Sequence, residues 1–272
     1  MGKGLIARAV TLPSNRAPSR LPQLSSFSDH FSGIAASYAS YRPHYPAALF
    51  AWLASLAPDR ERVWDCGTGT GQAAEELAAH FGEVVATDPS VAQLLNAPRG
   101  NRVLYVAMTA EQVALATSAV ALVTVAQALH WFKRDAFYRE VDRVLRPGGV
   151  LAAWTYARAV IDPDIDAILG RFHTETVGPY WPAERSFVDT AYEGIELPYP
   201  GLSHPEFAMD VEWDLRQLAG YVTTWSAVSH YRAERGEDPV PPVMQAVAET
   251  WGNPHERRRI RWPLTLRVAR KP

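Results

Sequence analysis

Arg62-Val-Trp-Asp-Cys66, then Gly67-Thr-Gly-Thr-Gly71, then Gln72-Ala-Ala-Glu-Glu-Leu-Ala-Ala-His-Phe81 is the stretch that decides the fold. The first five residues are a short apolar run that reads as a strand. The next five carry three glycines, which permit positive φ and let a ligand approach the backbone closely. From Gln72 onward, Ala73, Leu77, Ala78 and Phe81 recur at helical spacing, with Glu75 and Glu76 on the other side. Gly82 then reads as a helix stop.

Working outward, the pattern repeats. Glu83 to Asp88 is a strand, and Pro89 opens a helix. Arg102 to Val106 and Ala119 to Ala126 are further strands. Asp135 is placed to N-cap a helix that turns Phe137, Val141, Val144 and Leu145 inward. Arg146-Pro-Gly-Gly149 ends that helix, and Val150 to Tyr156 is a fifth strand. Such alternation predicts an α/β fold, a mostly parallel sheet covered on both faces. Upstream, Ser28 to Ala57 reads as two helical pieces broken at Arg42-Pro-His-Tyr-Pro46. Downstream, Val160 to Tyr199 is helical or irregular. Phe207, Met209, Val211 and Trp213 alternate as an antiparallel strand, and Leu215 to Glu234 and Val240 to Trp251 read as helices. Ile260 to Val268 alternates as an antiparallel last strand, with Pro263 suiting an edge or a bulge. The expected organisation is a flexible tail over 1–26, a cofactor-binding core over 27–156, a helical cap and substrate region with one strand over 157–255, and a final core strand over 256–272.

Composition excludes several classes. Across 272 residues, 47% are hydrophobic and the net charge is -2, so there is a core and no long-range field for nucleic acid or anionic membrane. Cys66 is the only cysteine, which excludes a disulfide framework or a multi-cysteine zinc site, and fits a cytoplasmic protein. Gln112 to Phe132 is uncharged and long enough to span a bilayer. Its apolar centre is short and β-branched, so a buried strand explains it better. The basic end, Arg257 to Lys271, reads as a solvated strand face rather than an RNA site.

The chemistry lies in the acids around the glycine turn. Asp88 ends the second strand at about the spacing expected of a ribose-binding carboxylate. Gly69-Thr-Gly71-Gln-Ala-Ala74 also fits a dinucleotide fingerprint, so a nicotinamide oxidoreductase is one reading. Asp65, just ahead of the glycines, favours a ligand with a cationic amino-acid tail over a pyrophosphate. A protein that binds the cofactor but is catalytically silent, as a partner subunit, is a further reading.

Val63-Trp-Asp-Cys-Gly-Thr-Gly-Thr-Gly-Gln72 resembles the first motif of class I S-adenosylmethionine-dependent methyltransferases. Ala110-Glu111, Ala126-Gln-Ala-Leu-His-Trp-Phe132 and Leu145-Arg-Pro-Gly-Gly-Val-Leu-Ala-Ala-Trp154 continue the match in order. Phe31 through Tyr38 to Pro46 resembles the family's lead-in helix. Within the family, the sequence is most similar to the type 11 small-molecule group, including trans-aconitate methyltransferase-like proteins. The resemblance runs from about Phe27 to Trp154, then weakly through Thr224-Trp-Ser226. It implies a Rossmann-like, doubly wound fold and S-adenosylmethionine as cofactor. Gly67, Thr68 and Gly69 would then hold the methionine part, with Asp65 beside it. Asp88 would hold the ribose, Ala110 and Glu111 would flank adenine, and Gln127 would lie near the methionine part. Arg42 would pair with the cofactor carboxylate and Tyr38 would close over it. Two departures from the family pattern are Met108, often Gly, and Ala121, often Asp.

Methyl transfer from a sulfonium is an in-line displacement that chiefly needs positioning and exclusion of water. His130 is the candidate base, if it does more than wall the cofactor. Trp131, Tyr156 and Trp225 are the candidate substrate contacts; six of the nine tryptophans lie from Trp154 to Trp262. The arginines there are scattered, so the expected acceptor is a small molecule with at most one negative charge, methylated on oxygen or nitrogen. No metal is expected.

Overall fold

The computed structural model describes residues 41–272. The expected tail, the first helical piece and Tyr38 lie outside the described residues.

Seven strands form one sheet in the order β3-β2-β1-β4-β5-β7-β6. β1 (Arg62–Cys66), β2 (Glu83–Asp88), β3 (Val103–Ala107), β4 (Val120–Ala126) and β5 (Leu145–Thr155) run parallel. β7 (Arg258–Arg270) is antiparallel to β5, and β6 (Phe207–Trp213) is antiparallel to β7. The chain steps from β1 toward β2 on one side and returns to β4 on the other. That reversal opens a crevice at the carboxyl ends of β1 and β4, where open α/β sheets bind ligands.

Both faces of the sheet are buried. Val63 of β1 and Val150, Ala152 and Trp154 of β5 join one apolar core, while Trp64, Leu151 and Ala153 join the other. This is the period-two alternation of a strand with helices on both sides. Val120 to Val125 of β4 are all buried, which accounts for the uncharged run there. Among the described residues no helix is long and apolar enough to cross a membrane.

The first core is completed by helices. α1 (Ala47–Leu56) follows Pro46 directly and buries Leu49, Phe50, Leu53 and Ala54. α5 (Pro163–Arg171), α7 (Leu215–Thr223), α8 (Ser226–Arg235) and α9 (Val240–Trp251) add Ile165, Leu218, Val228 and Val247. α2 (Gln72–Leu77), α3 (Val91–Leu95), α4 (Arg134–Val144) and α6 (Arg185–Asp189) complete the described α-helices.

Four expectations change in detail. α2 ends at Leu77, and Ala79 and His80 continue in tighter turns bonded to Glu76 and Leu77. α4 begins one residue before Asp135, because the Lys133 N–H is bound by the Glu111 carboxylate at 3.0 Å. Asp135 therefore sits in the first turn, where its charge favours the helix dipole. Arg146-Pro-Gly-Gly149 ends α4 but lies inside β5 as a bulge: two steps along β4, from Val120 to Leu122, face five along β5, from Leu145 to Val150. The stretch from Leu215 to Glu234 breaks at Thr224-Trp225. There the Thr223 and Thr224 hydroxyls donate to the Gly220 and Tyr221 carbonyls at 2.6 Å, competing with the helix ladder.

Pro263 is accommodated by a gap in the pairing. β7 pairs with β5 only from Thr265 onward, and Arg261 exchanges backbone bonds with Val160. Pro263, two residues from Arg261, turns its nitrogen to the same side, between those two contacts.

Candidate active site

A cavity of about 360 Å³ opens at the crevice between the carboxyl ends of β1, β2, β4 and β5. This is within the usual range for a small-ligand site. Its floor is the glycine turn after β1. The Gly67 and Thr68 N–H groups both donate to the Thr87 carbonyl, at 2.8 and 2.9 Å, which locks the turn to β2. Gly69 takes φ 58°. A Cβ there would meet nothing within 4 Å. Its backbone therefore faces open cavity. Gly71 takes φ 84°, and a Cβ there would fall 2.3 Å from the Tyr105 hydroxyl oxygen. Only glycine serves at that step.

Asp88, at the end of β2, lines the cavity. Its Oδ2 accepts from the Gly69 N–H at 2.9 Å and its Oδ1 from the Ser90 N–H at 2.8 Å. Two backbone donors from different segments hold this carboxylate at the wall. Asp65 sits one layer behind and does not line the cavity. It is fully buried, accepting from the Thr68 hydroxyl at 2.5 Å and the Thr124 hydroxyl at 2.7 Å. Burial pushes its pKa up to about 6, against the two hydroxyls that pull it down. It braces the turn from behind, with Thr68 between it and the space.

Ala110 and Glu111 line the cavity, and the Glu111 bond to Lys133 fixes that wall to α4. Met108 does not line it; its sulfur accepts from the Ala114 N–H at 3.3 Å. Gln127 ends β4 with φ 54°. Its amide donates to the Tyr156 carbonyl at 2.8 Å and accepts from the Thr155 hydroxyl at 2.6 Å. Gln127 thus clamps β4 to β5 at the cavity wall. Trp131, Tyr156 and Arg42 also line the space. Arg42 Nη1 donates to the Tyr156 hydroxyl at 2.9 Å, and its guanidinium lies 5.3 Å over the Tyr221 ring.

Besides Asp65, two candidate residues are not brought to this cavity. His130 is buried, with Nδ1 3.1 Å from the Tyr192 hydroxyl. Burial, assisted by Arg185, lowers its pKa to about 3, so it is neutral at pH 7. Trp225 packs among Phe172, His173, Trp181 and Tyr221 instead. Conversely, Ser90, Phe132 and Lys133 line the cavity without having been singled out. Ser90 carried a signal, since a serine ahead of Val91 is an N-cap, and its hydroxyl accepts from the Gln93 N–H at 3.3 Å. Phe132 closed the family-like motif after β4, and Lys133 carried no signal beyond following it. Among the described residues no group of His, Cys, Asp or Glu could hold a metal ion.

These residues fit S-adenosylmethionine better than a dinucleotide. The open backbone at Gly69 and the carboxylate held at Asp88 suit an amino-acid tail and a ribose. A buried carboxylate directly behind the turn opposes a pyrophosphate there.

Comparison with known proteins agrees. A family model described as a methyltransferase domain matches residues 64–153. A protein of Dictyostelium discoideum described as a methyltransferase is 31% identical over 237 residues, covering 86% of this chain and 90% of the relative. A solved structure described as a type II methyltransferase from Anaeromyxobacter dehalogenans is 40% identical, with TM-score 0.79 over 85% of this chain and 98% of that one. A Saccharomyces cerevisiae protein named for S-adenosylmethionine-dependent methyl transfer is 28% identical over 145 residues, covering 50% of this chain and 49% of its own. The nicotinamide reading falls, and the chain belongs to the class I S-adenosylmethionine-dependent methyltransferases, with S-adenosylmethionine as its cofactor.

Proposed function

We propose that the acceptor is a small molecule with substantial apolar surface and at most one negative charge, methylated on oxygen or nitrogen. The observation that carries this is the make-up of the cavity wall where β4 and β5 end. Trp131, Phe132, Tyr45 and Tyr156 face it, and Arg42 and Lys133 are its only Arg or Lys among the described residues. Glu75, Asp88 and Glu111 line the same space. A tricarboxylate calls for several converging guanidinium forks, because burying carboxylates unpaired is prohibitive. Trans-aconitate therefore suits this wall poorly.

In this reading the backbone of Gly67, Thr68 and Gly69 holds the methionine part, Asp88 accepts the ribose hydroxyls, and Ala110 and Glu111 flank adenine. Arg42 stands over the carboxylate side. Once bound, S-adenosylmethionine supplies an activated sulfonium methyl group. The protein's share is to align the acceptor and exclude water. His130 is not proposed as a base, since it faces Tyr192 and is a weak base at a pKa of about 3. Its role is to hold the segment that carries Trp131.

The test is purified protein with isotopically labelled donor, screened against phenols, alcohols, amines and monocarboxylates by product mass spectrometry. Labelled oxygen- or nitrogen-methyl products from apolar acceptors are expected. Strong turnover of trans-aconitate would show the proposal wrong.

A further inference from the structure

The segment leaving β5 borders two spaces. Tyr156 lines the cofactor cavity, while Ala157 and Arg158 line a second hollow of about 310 Å³ between the β5 exit, α5 and α7. Its apolar walls are Leu169, Leu218, Tyr221 and Trp225. The two spaces share a partition. Arg42 donates to the Tyr156 hydroxyl on one side and lies over the Tyr221 ring on the other. The two spaces have no lining residue in common, and this partition separates them.

Two charged groups line this hollow, Arg158 and Asp166. Asp166 is already engaged: both its oxygens accept from the Ile161 N–H, at 3.0 and 3.3 Å. Arg158 makes no hydrogen bond or ion pair among the described residues. Its guanidinium is nonetheless held close against α5, since a Cβ built on Gly170 would fall 2.6 Å from Nη1. Gly170 is thus the residue that lets the guanidinium rest on the helix. The guanidinium is exposed and its charge reaches the Asp166 carboxylate, but its donors are not bonded among the described residues, which suits a planar anion.

We propose that this hollow is the acceptor-anchoring pocket. It takes the apolar, ring-sized body of the acceptor and one carboxylate that pairs with Arg158. The methyl-accepting oxygen or nitrogen, at the opposite end, enters the cofactor cavity past Tyr156 when the Arg42 side chain moves off the Tyr221 ring. Trp225 then supplies pocket wall from a position away from the cofactor. This rests on the reading of a small apolar acceptor given above, and it converts "at most one negative charge" into one carboxylate with a named partner.

The test is isothermal titration on the full chain saturated with S-adenosylhomocysteine. The probes are 3-phenylpropanoate, its neutral counterpart 3-phenylpropan-1-ol and its cationic counterpart 3-phenylpropylamine. The carboxylate is expected to bind tightest. Arg158→Met should weaken it about tenfold, the scale of one charge-assisted contact. Binding of the alcohol and of S-adenosylhomocysteine should not change. Gly170→Ala, which keeps the charge but pushes the guanidinium off α5, should weaken the carboxylate in the same direction without lowering the melting temperature. Equal carboxylate affinity in wild type and Arg158→Met overturns the proposal. So does failure of all three probes to bind, or an amine that binds tightest and is lost in Asp166→Asn. These outcomes are read from binding alone. A failed turnover screen would sink the acceptor reading while leaving a lost Arg158-dependent affinity in place, and the converse result would sink only the pocket.

Discussion

At the residue scale, the two acids of the glycine turn have separate duties. Asp88 stands at the wall between two backbone donors. Asp88→Ala is expected to weaken S-adenosylhomocysteine by roughly 1.5–3 kcal/mol, the loss of a charge-assisted contact. Titration calorimetry would measure it, with circular dichroism to check the fold; unchanged affinity would remove the ribose from this position. Asp65 is instead a stability group. Its folded pKa of about 6 lies above the ordinary 3.8, so the native state binds the proton more tightly than the unfolded chain. That contribution is full below about pH 4, is lost as pH rises to about 6, and is flat above. The span is on the order of 3 kcal/mol. Chemical denaturation from pH 4 to 7 should show this slope in the wild type and not in Asp65→Asn. Asp88 was legible because a strand-end acid at a fixed interval from a glycine turn has one direction to face. Asp65 was half legible: its place beside the turn was right, but spacing does not say that Thr68 and Thr124 would enclose it. His130 was less legible still. Gln127 takes φ 54°, which ends the strand's alternation three residues earlier, so periodicity no longer says which way His130 points.

At the element scale, the five parallel strands and the glycine turn were readable because buried parallel strands are near-continuous apolar runs. Junctions were less readable, because they depend on partners distant in sequence. Glu111 sets where α4 starts, and β4 sets how Arg146 to Gly149 bulges. The turn between β1 and α2 allows a sharp test. Gly71→Ala adds a left-handed strain of about 1–2 kcal/mol and a collision with Tyr105. The expected loss is about 2–4 kcal/mol in urea unfolding. Tyr105→Phe removes the nearest atom, leaving ring carbons at 2.9 Å, so the double variant should recover part of the loss. Alone, Tyr105→Phe should be neutral or slightly stabilising, because the buried Tyr105 hydroxyl has no hydrogen-bond partner among the described residues. An additive double variant would mean that the collision is not what excludes alanine.

At the scale of the whole molecule, fold class and cofactor were legible because five motifs occur in one order along the chain. The acceptor side was not. The walls of the proposed acceptor pocket come from the β5 exit, α5 and α7, and run from Ala157 to Trp225 in sequence with no continuous motif. Ligand binding should register across the whole fold. S-adenosylhomocysteine at about 100 times its Kd should add about 2.7 kcal/mol. For a chain of this size that raises the Tm by roughly 5–10 °C in a thermal melt. NAD should give no shift, and an equal shift with NAD would contradict the cofactor assignment.

The pairing of β7 has a consequence for how the chain is made. Among the described residues, the strand that pairs with β6 and with the second side of β5 follows every other strand in sequence. During synthesis, the five parallel strands can associate as they emerge, but the free side of β5 has no neighbour until residues 258–270 leave the ribosome. Through that interval a largely apolar strand presents open backbone donors and acceptors, the configuration that invites pairing with other nascent chains. Emergence of β7, rather than assembly of the cofactor cleft, is then the step that covers the open edge of β5. Chaperone dependence should concentrate in the moments before it.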